Sequence, residues 1–244
     1  MPLRPRFADF ASAAHFVRSA RFARIAIAAI GIAILAFSAW DSGRRGLANW
    51  LAMRARDDLR VVTQGRPSVE QWQRTVDGLH EALRLAPRDP NLWDYLALAY
   101  EAGQRHFYPG GANNVYTEYA LIHFRQEASL RPTWPHAWVR VALMKYQLRQ
   151  LDDELSWALY LSMRLGPWEP GVQLIAADIG LALWDRMDQP FKDLVRDNLR
   201  RAAVKQAGAL VQFATKHGKW DVLCQASLDA VKNRLKCPQQ LSSR

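Results

Sequence analysis

The chain has little cysteine and little lysine. Its two Cys residues among 244 exclude a disulfide-rich scaffold, and no Cys-x-x-Cys pair or His/Cys cluster offers the four ligands of a structural zinc site. Only 7 of its 33 basic residues are Lys, and the other 26 are Arg. The net charge of +10 raises the question of nucleic acid, but a preference for Arg also follows from genome composition, so charge alone assigns no partner.

The sequence also lacks the motifs of common catalytic and nucleotide-binding sites. None of the patterns G-x-G-x-x-G, G-x-x-x-x-G-K-[ST], G-x-S-x-G and H-E-x-x-H occurs, and the six His residues never pair at helical metal-ligand spacing. The acidic run Asp152-Asp153-Glu154 opens a predicted helix, where carboxylates are stabilised by the helix dipole. We therefore expect no enzyme, no metal and no cofactor.

An apolar stretch near the N-terminus is long enough to cross a membrane. Residues 25–40 (IAIAAIGIAILAFSAW) carry no charge, and a helix starting at Phe22 would span about 28 Å, close to the hydrocarbon thickness. A buried core helix or a cleaved signal peptide would also be apolar. A core helix does not explain the Arg residues on both sides. A signal peptide is disfavoured because the 24 residues before the run are long for one and Phe37-Ser38-Ala39 is not an Ala-x-Ala site. We expect an uncleaved anchor over 25–40 after a basic segment over 1–24.

The side of the membrane depends on the flanking charges. Five Arg residues precede the apolar stretch and five lie between 41 and 60, so the positive-inside rule is almost balanced. The N-terminal amine slightly favours a cytoplasmic N-terminus. The expected location is a bacterial inner membrane crossed once, with 1–24 in the cytoplasm and the domain after the anchor in the periplasm.

A short amphipathic helix is expected between the anchor and the folded domain. It covers Gly46 to Val62, and the Gln64-Gly65-Arg66-Pro67 segment ends it. Ser68 and Gln71 then have the spacing of a capping box, which predicts the start of a new helix. The predicted domains are a juxtamembrane helix and linker over 41–67, a helical domain over 68–236 and a tail over 237–244.

The helical domain carries a repeated register. Pro87 is followed six residues later by Trp93, and 45 residues on Pro132 is followed six residues later by Trp138. Small residues, large residues and a helix-stopping Pro in this order are typical of a tetratricopeptide repeat, whose period is about 34 residues. The excess length is assigned to an inserted loop, Arg105–Val115. An unrelated helical bundle is the alternative.

A third, weaker repeat begins at Gly166-Pro167, where Gln173 takes the position of the Trp. Its second helix, about 190–204, is degenerate and Arg-rich, as expected where a solenoid ends, and further helices are predicted over 205–217 and 219–236. No segment has the alternation of a strand. The predicted fold is therefore all-α: an N-terminal transmembrane helix followed by a short tetratricopeptide-like α-solenoid of antiparallel helix pairs.

The first helices of successive repeats in such solenoids line a concave groove that receives a peptide. The inserted loop would lie at one rim, either as a specific contact or as a packed loop without a partner. The groove lining is mixed and not basic, so we expect no nucleic acid. Residues predicted to line the groove are Asn91, Asp94, Leu98, Glu101, His136, Val139, Leu143 and Tyr146, and those of the loop are His106, Phe107, Tyr108 and Pro109.

The ten Trp residues have two possible roles: they could pack in the core, or they could form a surface on which sugar rings stack. Trp93 and Trp138 occupy the packing position within a repeat, and Trp157 and Trp184 fall in apolar segments, so we expect these four in the core. Trp134 and Trp168 each follow a helix-stopping Pro and are left open. Trp168 is retained as a candidate contact for a partner.

Cys224 and Cys237 form a candidate disulfide. If 219–236 is one straight helix, the two residues lie about 20 Å apart and cannot bond. A break in the helix, for which Ser227 is a candidate, would allow the bond. It would also require an oxidising compartment such as the periplasm.

Two segments carry a family resemblance. Ser129–Trp138 (SLRPTWPHAW) and Leu165–Pro170 (LGPWEP) with Val172-Gln173, together with the anchor and the degenerate repeats, resemble the VpsP-type polysaccharide-biosynthesis proteins of Gram-negative bacteria. The resemblance covers most of 20–236, and the Gly-Pro-Trp-Glu-Pro turn is its most distinctive part. It implies an inner-membrane, non-enzymatic accessory of exopolysaccharide or O-antigen assembly, beside a polymerase, ligase or chain-length protein.

The expected function is a membrane-tethered adaptor or scaffold that binds a protein of the polysaccharide machinery. A second hypothesis is a polysaccharide-binding module that uses Trp134, Trp168 and Tyr108. A third is a repeat accessory of another envelope pathway, such as lipopolysaccharide regulation or cytochrome maturation.

Overall fold

The computed structural model describes residues 8–109, 114–227, 235 and 237, with side chains from residue 24 onward. Over these residues the chain has nine α-helices, one 3-10 turn at Trp184–Arg186 and no strand, which confirms the all-helical prediction for that part of the chain. The helices in chain order are α1 Ala8–Gln64, α2 Val69–Leu85, α3 Pro90–Phe107, α4 Val115–Leu130, α5 Pro135–Gln147, α6 Asp153–Leu165, α7 Pro170–Ala182, α8 Gln189–His217 and α9 Trp220–Ala226.

α1 is one helix of 57 residues that contains both the predicted anchor and the predicted juxtamembrane helix. It is long and apolar enough to cross a membrane, and its apolar side chains from Ile25 to Trp40 are exposed. The predicted separation of two helices is wrong. Gly43 and Gly46 stay helical, and Asp41 pairs with Arg45 one turn later at 2.8 Å, which supports the helix where it leaves the apolar stretch.

The second half of α1 belongs to the folded domain. Its buried side chains recur at alternating spacings of four and three residues, the pattern of a helix face packed on its neighbours. They pack on α2 and α3. Residues 41–64 are therefore the first packing layer of the domain and not a linker. The buried residues are Ala48, Ala52, Ala55, Leu59 and Val62.

α2 begins at the predicted capping box. The Ser68 hydroxyl accepts a hydrogen bond from the Gln71 N–H (3.2 Å), and the Gln71 side chain accepts one from the Ser68 N–H (3.0 Å). Both N-terminal donors are satisfied by this reciprocal pair. The helix therefore starts where the sequence predicts.

Three interhelical turns have the same structure. Each has the sequence x-Pro-x-x-Pro, at 86–90 before α3, 131–135 before α5 and 166–170 before α7. The first residue of each turn has φ between −133° and −124° and ψ between 52° and 66°. Its carbonyl accepts the N–H three residues on at 2.9 to 3.2 Å. In each turn the second Pro occupies the first position of the new helix, where its missing N–H costs no hydrogen bond.

A side chain six positions after the first Pro closes each turn. Its N–H group donates to the carbonyl of that Pro at 2.8 Å: Trp93 to Pro87, Trp138 to Pro132 and Gln173 to Pro167. The six-residue spacing found in the sequence thus corresponds to a repeated hydrogen bond. Gln173 preserves it because an amide N–H can replace the indole N–H as donor.

The three turns lie side by side in a row. Arg131 in the second turn donates to the Asn91 side chain at the start of α3 (2.8 Å). The third turn lies against the second, since a Cβ on Gly166 would be 2.6 Å from Cβ of Pro135. Only glycine allows this approach.

Contacts along α1, α3 and α5 show that these helices run in the same direction. The turn before α3 lies beside residues 37–45 of α1. Further along, Arg56 of α1 lies 5.2 Å from the ring of Tyr95, and Arg105 of α3 donates to the Thr63 carbonyl at 3.3 Å. Glu101 near the end of α3 pairs with Arg140 of α5 at 2.8 Å. The row of turns therefore marks the end of the domain that is nearest the apolar stretch of α1.

The hydrophobic core extends from α1 to α9 in two clusters. The first joins α1, α2 and α3, and the second runs from α3 to the last helices. Ala176 and Ala177 of the third unit are fully buried, as their predicted small-residue position requires. The helices predicted over 190–204 and 205–217 form the single element α8, which is kinked at Gln206 (φ −123°, ψ 28°). The Gln206 amide donates to the Gln173 side chain at 2.9 Å, which links the kink to the third turn.

A buried lysine holds the acidic run at the start of α6. The Lys145 amine, 2% exposed, lies 2.8 Å from Asp152 and 2.6 Å from Glu154, and Arg125 also binds Glu154. The hydrogen bond from Lys145 lowers the pKa of Asp152, and that from Arg125 lowers the pKa of Glu154. The carboxylates therefore act structurally, as the sequence indicates.

Cys224 and Cys237 are joined by a disulfide, with their Cα atoms 5.7 Å apart. The predicted straight helix over 219–236 is wrong, since α9 ends at Ala226 and Ser227 has an extended backbone. The break thus falls at the residue that the sequence offers for it. Residues 228–234 lie outside the described part of the chain.

Reduction of this disulfide is expected to lower the free energy of unfolding by about 2 to 4 kcal/mol, because a closed loop of this length restricts the unfolded chain. The measurement is thermal unfolding of the full chain in detergent micelles, followed by circular dichroism with and without dithiothreitol. A Cys224→Ala/Cys237→Ala chain is the control, and its melting temperature should not respond to the reductant. An equal melting temperature for oxidised and reduced wild type would contradict the expectation.

Candidate interaction surfaces

A polar cleft lies where α3 ends, far from the row of turns. We call it the distal cleft; it has a volume of about 420 Å³. The side chains around it are mostly amides, hydroxyls and charged groups. They are Glu101, Gln104, Arg105, Tyr108, Pro109, Asn114, Thr117 and Gln147. The structure thus brings together two predicted contact residues, Glu101 and Tyr108.

Glu101 is the charged centre of the distal cleft. Its carboxylate is 12% exposed and accepts from Arg105 one turn along α3 (3.2 Å) and from Arg140 of α5 (2.8 Å). Since two guanidinium groups fix the carboxylate, it is held in one orientation across two helices. Through these pairs Glu101 links α3 to α5 at the cleft.

Tyr108 projects at the rim of the distal cleft. Its side chain is 49% exposed, and its ring meets Tyr116 edge to face at 5.4 Å. The Gln104 side chain donates to the Tyr108 carbonyl at 2.9 Å and so fixes the point where the chain leaves α3. The aromatic face is therefore positioned and accessible.

The predicted loop Arg105–Val115 is partly helical, because α3 continues to Phe107. The Phe107 ring packs edge to face on Trp72 at 5.9 Å, so it contributes to the core and not to an exposed rim. His106 is half-buried on the same last turn of α3. Of the four residues predicted in the loop, Tyr108 and Pro109 are exposed; residues 110–113 lie outside the described part of the chain.

The predicted groove does not form one continuous contact surface. Val139 is fully buried, while Leu143 and Tyr146 are half-buried and pack on the core. His136 lies at the row of turns, 5.2 Å from the Trp134 ring and 3.5 Å from Glu169, the neighbour of Trp168. The predicted contacts therefore divide between two ends of the domain: Glu101 and Tyr108 at one, His136 and Trp168 at the other.

The Trp residues are only partly where the sequence predicts them. Trp184 is buried, and Trp93 and Trp138 are half-buried in their turns. Trp157 was predicted in the core, but it is 56% exposed and stacks on Tyr160 at 5.5 Å. The buried face of α6 follows Leu155, Ala158, Leu159, Ser162 and Met163, and Trp157 lies off that face.

The two Trp residues left open are both exposed. Trp134 is 45% exposed and Trp168 is 75% exposed, and each lies in a turn of the row. The Arg201 guanidinium lies 5.8 Å from the Trp168 ring, a cation–π contact that orients the indole. Both rings are therefore available to a partner at the end of the domain nearest the apolar stretch.

Two carboxyls that the sequence did not indicate as a pair, Glu127 and Asp94, influence each other electrostatically. Glu127 of α4 is 2% exposed, and its Oε2 atom has no hydrogen-bond partner. Burial, followed by the charge of Asp94, raises the pKa of Glu127 to about 8, although Arg131 and Arg140 oppose the shift. Burial also raises the pKa of Asp94. The signal in the sequence is that Glu127 falls on the apolar face of Phe124 and Ala128.

Two His residues that are distant in sequence come together in an aromatic cluster. His80 bonds the Tyr100 hydroxyl at 3.1 Å, and the His123 ring stacks on Tyr100 at 5.3 Å. Burial, with a smaller effect of His80, lowers the pKa of His123 to about 4. His123 is therefore a neutral packing residue at physiological pH.

Comparison with known proteins adds no family to this description. No protein-family model matches the chain, and no curated protein is similar to it in sequence. The class is therefore defined by architecture: a helical domain built directly on a helix that is long and apolar enough to cross a membrane.

Proposed function

We propose that this protein is a membrane-anchored, non-catalytic adaptor whose helices form a tetratricopeptide-like solenoid. α1 anchors the domain, and the distal cleft binds a segment of a protein partner. The single observation that carries the proposal is this cleft, whose lining combines Glu101, paired with two Arg side chains, and the exposed Tyr108. The cleft belongs to a domain whose first helix is continuous with the apolar stretch. The three alike turns support the repeat architecture.

The chemistry of the distal cleft suits an extended polar peptide. The amides of Asn114 and Gln147 provide donors and acceptors for a peptide backbone, and Tyr108 provides a rigid aromatic face. Peptide-binding grooves combine such backbone contacts with a few oriented side chains.

The proposed setting is the inner membrane of a Gram-negative bacterium, with the helical domain in the periplasm. The Cys224–Cys237 disulfide supports an oxidising compartment. The resemblance of the turns to VpsP-type proteins supports a partner in exopolysaccharide or O-antigen assembly. The adaptor would hold that partner at a fixed place beside the membrane.

The proposal is tested by site-specific photo-cross-linking in cells. A benzoylphenylalanine at Tyr108 should give a cross-link to one membrane-associated protein, and the yield should fall at least several-fold when Glu101→Gln is added. Val69, 55% exposed at the start of α2, is the control position and should give no such product. Equal products from both positions, or none from Tyr108, would count against a partner in the distal cleft.

A second candidate function is binding of polysaccharide. The observation that favours it is the exposure of Trp134 and Trp168, because flat aromatic faces pack on sugar rings. Binding of the purified polymer should then be lost in Trp168→Ala while the circular dichroism spectrum stays unchanged. Unchanged polymer binding in Trp168→Ala would leave the adaptor function as the better account.

A further inference from the structure

A second cavity lies between α1 and the first turn. Its volume is about 730 Å³, larger than the distal cleft. One wall is formed by residues 37–45 of α1 and the other by residues 86–90. The side chains that matter for its chemistry are Phe37, Asp41, Arg44, Arg45, Arg88 and Asp89. We call it the basal cavity.

The basal cavity lies at the depth where α1 passes from its apolar stretch to its packed half. The apolar side chains remain exposed as far as Trp40, and Ala48 is the first buried residue of the domain-facing stripe. Phe37 and Arg45 are separated by about 12 Å along the helix. If α1 crosses the bilayer, this interval begins in the hydrocarbon and passes through the headgroup layer, which is on the order of 5 to 8 Å thick on each side.

The basal cavity has an excess of positive charge. Its lining contains three Arg and two Asp side chains. Asp41 binds Arg45 at 2.8 Å and reaches Arg44 only at 3.7 Å. Asp89 is occupied as the N-cap of α3, where it accepts from the Asn91 N–H at 2.9 Å.

Arg88 supplies the charge that remains unmatched. It lies exposed at the tip of the first turn, and over the described residues it forms no hydrogen bond or ion pair. Arg88 and the weakly paired Arg44 approach the same space from opposite walls. Two guanidinium groups that converge on one space are the arrangement that binds a phosphate diester, since each can form paired N–H···O bonds.

We propose that the basal cavity binds the headgroup of an anionic phospholipid in the membrane leaflet on the side of the helical domain. Arg44 and Arg88 hold the phosphate, and Phe37 lies beside the glycerol and the first acyl carbons. The inference rests on the proposed membrane crossing of α1. A soluble phosphate compound would satisfy the same Arg residues, but the apolar Phe37 wall and the depth of the cavity favour a lipid.

The test uses the full chain in non-ionic detergent, titrated with dioctanoylphosphatidylglycerol and followed by microscale thermophoresis. Dioctanoylphosphatidylcholine and glycerol 3-phosphate are titrated in parallel. Arg88→Gln and Arg44→Gln should each weaken phosphatidylglycerol binding about tenfold or more, as expected for loss of a charge-assisted contact. Arg84→Gln, an exposed position at the end of α2 that pairs with Glu81, is the matched control and should bind as wild type does.

Equal affinity for the two lipids, or equal binding by Arg88→Gln and Arg84→Gln, would overturn the lipid site. Binding of glycerol 3-phosphate as tight as that of phosphatidylglycerol would assign the cavity to a soluble anion and also overturn it. Alkaline carbonate extraction of membranes separates this inference from the proposed anchor. A chain that stays in the pellet but shows no lipid preference loses the lipid site alone, whereas a chain that is released loses both.

Discussion

Replacing Trp72 with Ala is expected to lower the free energy of unfolding by about 3 to 5 kcal/mol, the range for loss of a large buried aromatic side chain. Trp72 is 5% exposed and joins α2 to α3 and α4. Its Nε1–H donates to the Ala99 carbonyl at 2.8 Å, and its ring rests on Gly103, where a Cβ would lie 2.7 Å from Nε1. The surrounding helices cannot fill such a space without moving.

The measurement is thermal unfolding of the full chain in detergent micelles, followed by circular dichroism at 222 nm. A loss of this size lowers the melting temperature by on the order of 10 °C for a domain of this length. Trp168→Ala is the matched control, since the same side chain is removed from a site that is 75% exposed, and its effect should stay below about 1 kcal/mol. Similar losses from the two variants would show that Trp72 is not a core residue.

Raising the pH from about 6.5 to about 9 is expected to lower the stability of the wild type by on the order of 2 kcal/mol, and Glu127→Gln should remove most of this change. A carboxyl whose pKa is raised on folding contributes its full stability below the unfolded pKa of 4.5 and loses it as the pH rises through its folded pKa of about 8. The variant should therefore be the more stable protein at pH 9. The pKa of His123 is lowered to about 4, so its titration destabilises the fold as the pH falls through 6.5 and opposes the change in this window by only about 0.4 kcal/mol.

The control for this pH dependence is Glu118→Gln, an exposed carboxylate on the first turn of the same helix. Its unfolding free energy should change with pH as that of the wild type does. Burial raises the pKa of the neighbouring Asp94 as well, so its titration changes the stability in the same direction. If Glu127→Gln loses as much stability over this range as the wild type, the buried carboxyl is not responsible for the pH dependence.

The register of the turns could be predicted from the sequence because it depends on short-range chemistry. Pro stops a helix through its own geometry, and a donor six residues later reaches back to the Pro carbonyl within one turn. Gln173 could be recognised as the equivalent of Trp because it lies six residues after Pro167, and in the structure it also donates the equivalent hydrogen bond to the Pro167 carbonyl. The capping box at Ser68 was predictable for the same local reason.

The remaining features depend on contacts between distant residues. Trp157 is exposed because of the way α6 is rotated about its axis, and the composition of the segment does not determine that rotation. The distal cleft required Gln147 of α5 to meet Tyr108 at the end of α3, and the two helices are separated by α4. The pairing of Cys224 with Cys237 required the chain to turn back after Ala226. Such long-range arrangements arise from packing, which a local pattern does not encode.

Because α1 is continuous, the orientation of the helical domain is coupled to the rotation of the apolar half of α1 about the helix axis. The helix has no break between Arg24 and Gln64, and its far half is a wall of the core, so the domain cannot swivel about a hinge. A neighbouring membrane helix that packs against one face of α1 would therefore determine the direction in which the distal cleft points around the axis of α1. Each residue added between Trp40 and Ala48 would rotate the cleft by about 100° around the axis of α1 and move it by about 1.5 Å along that axis.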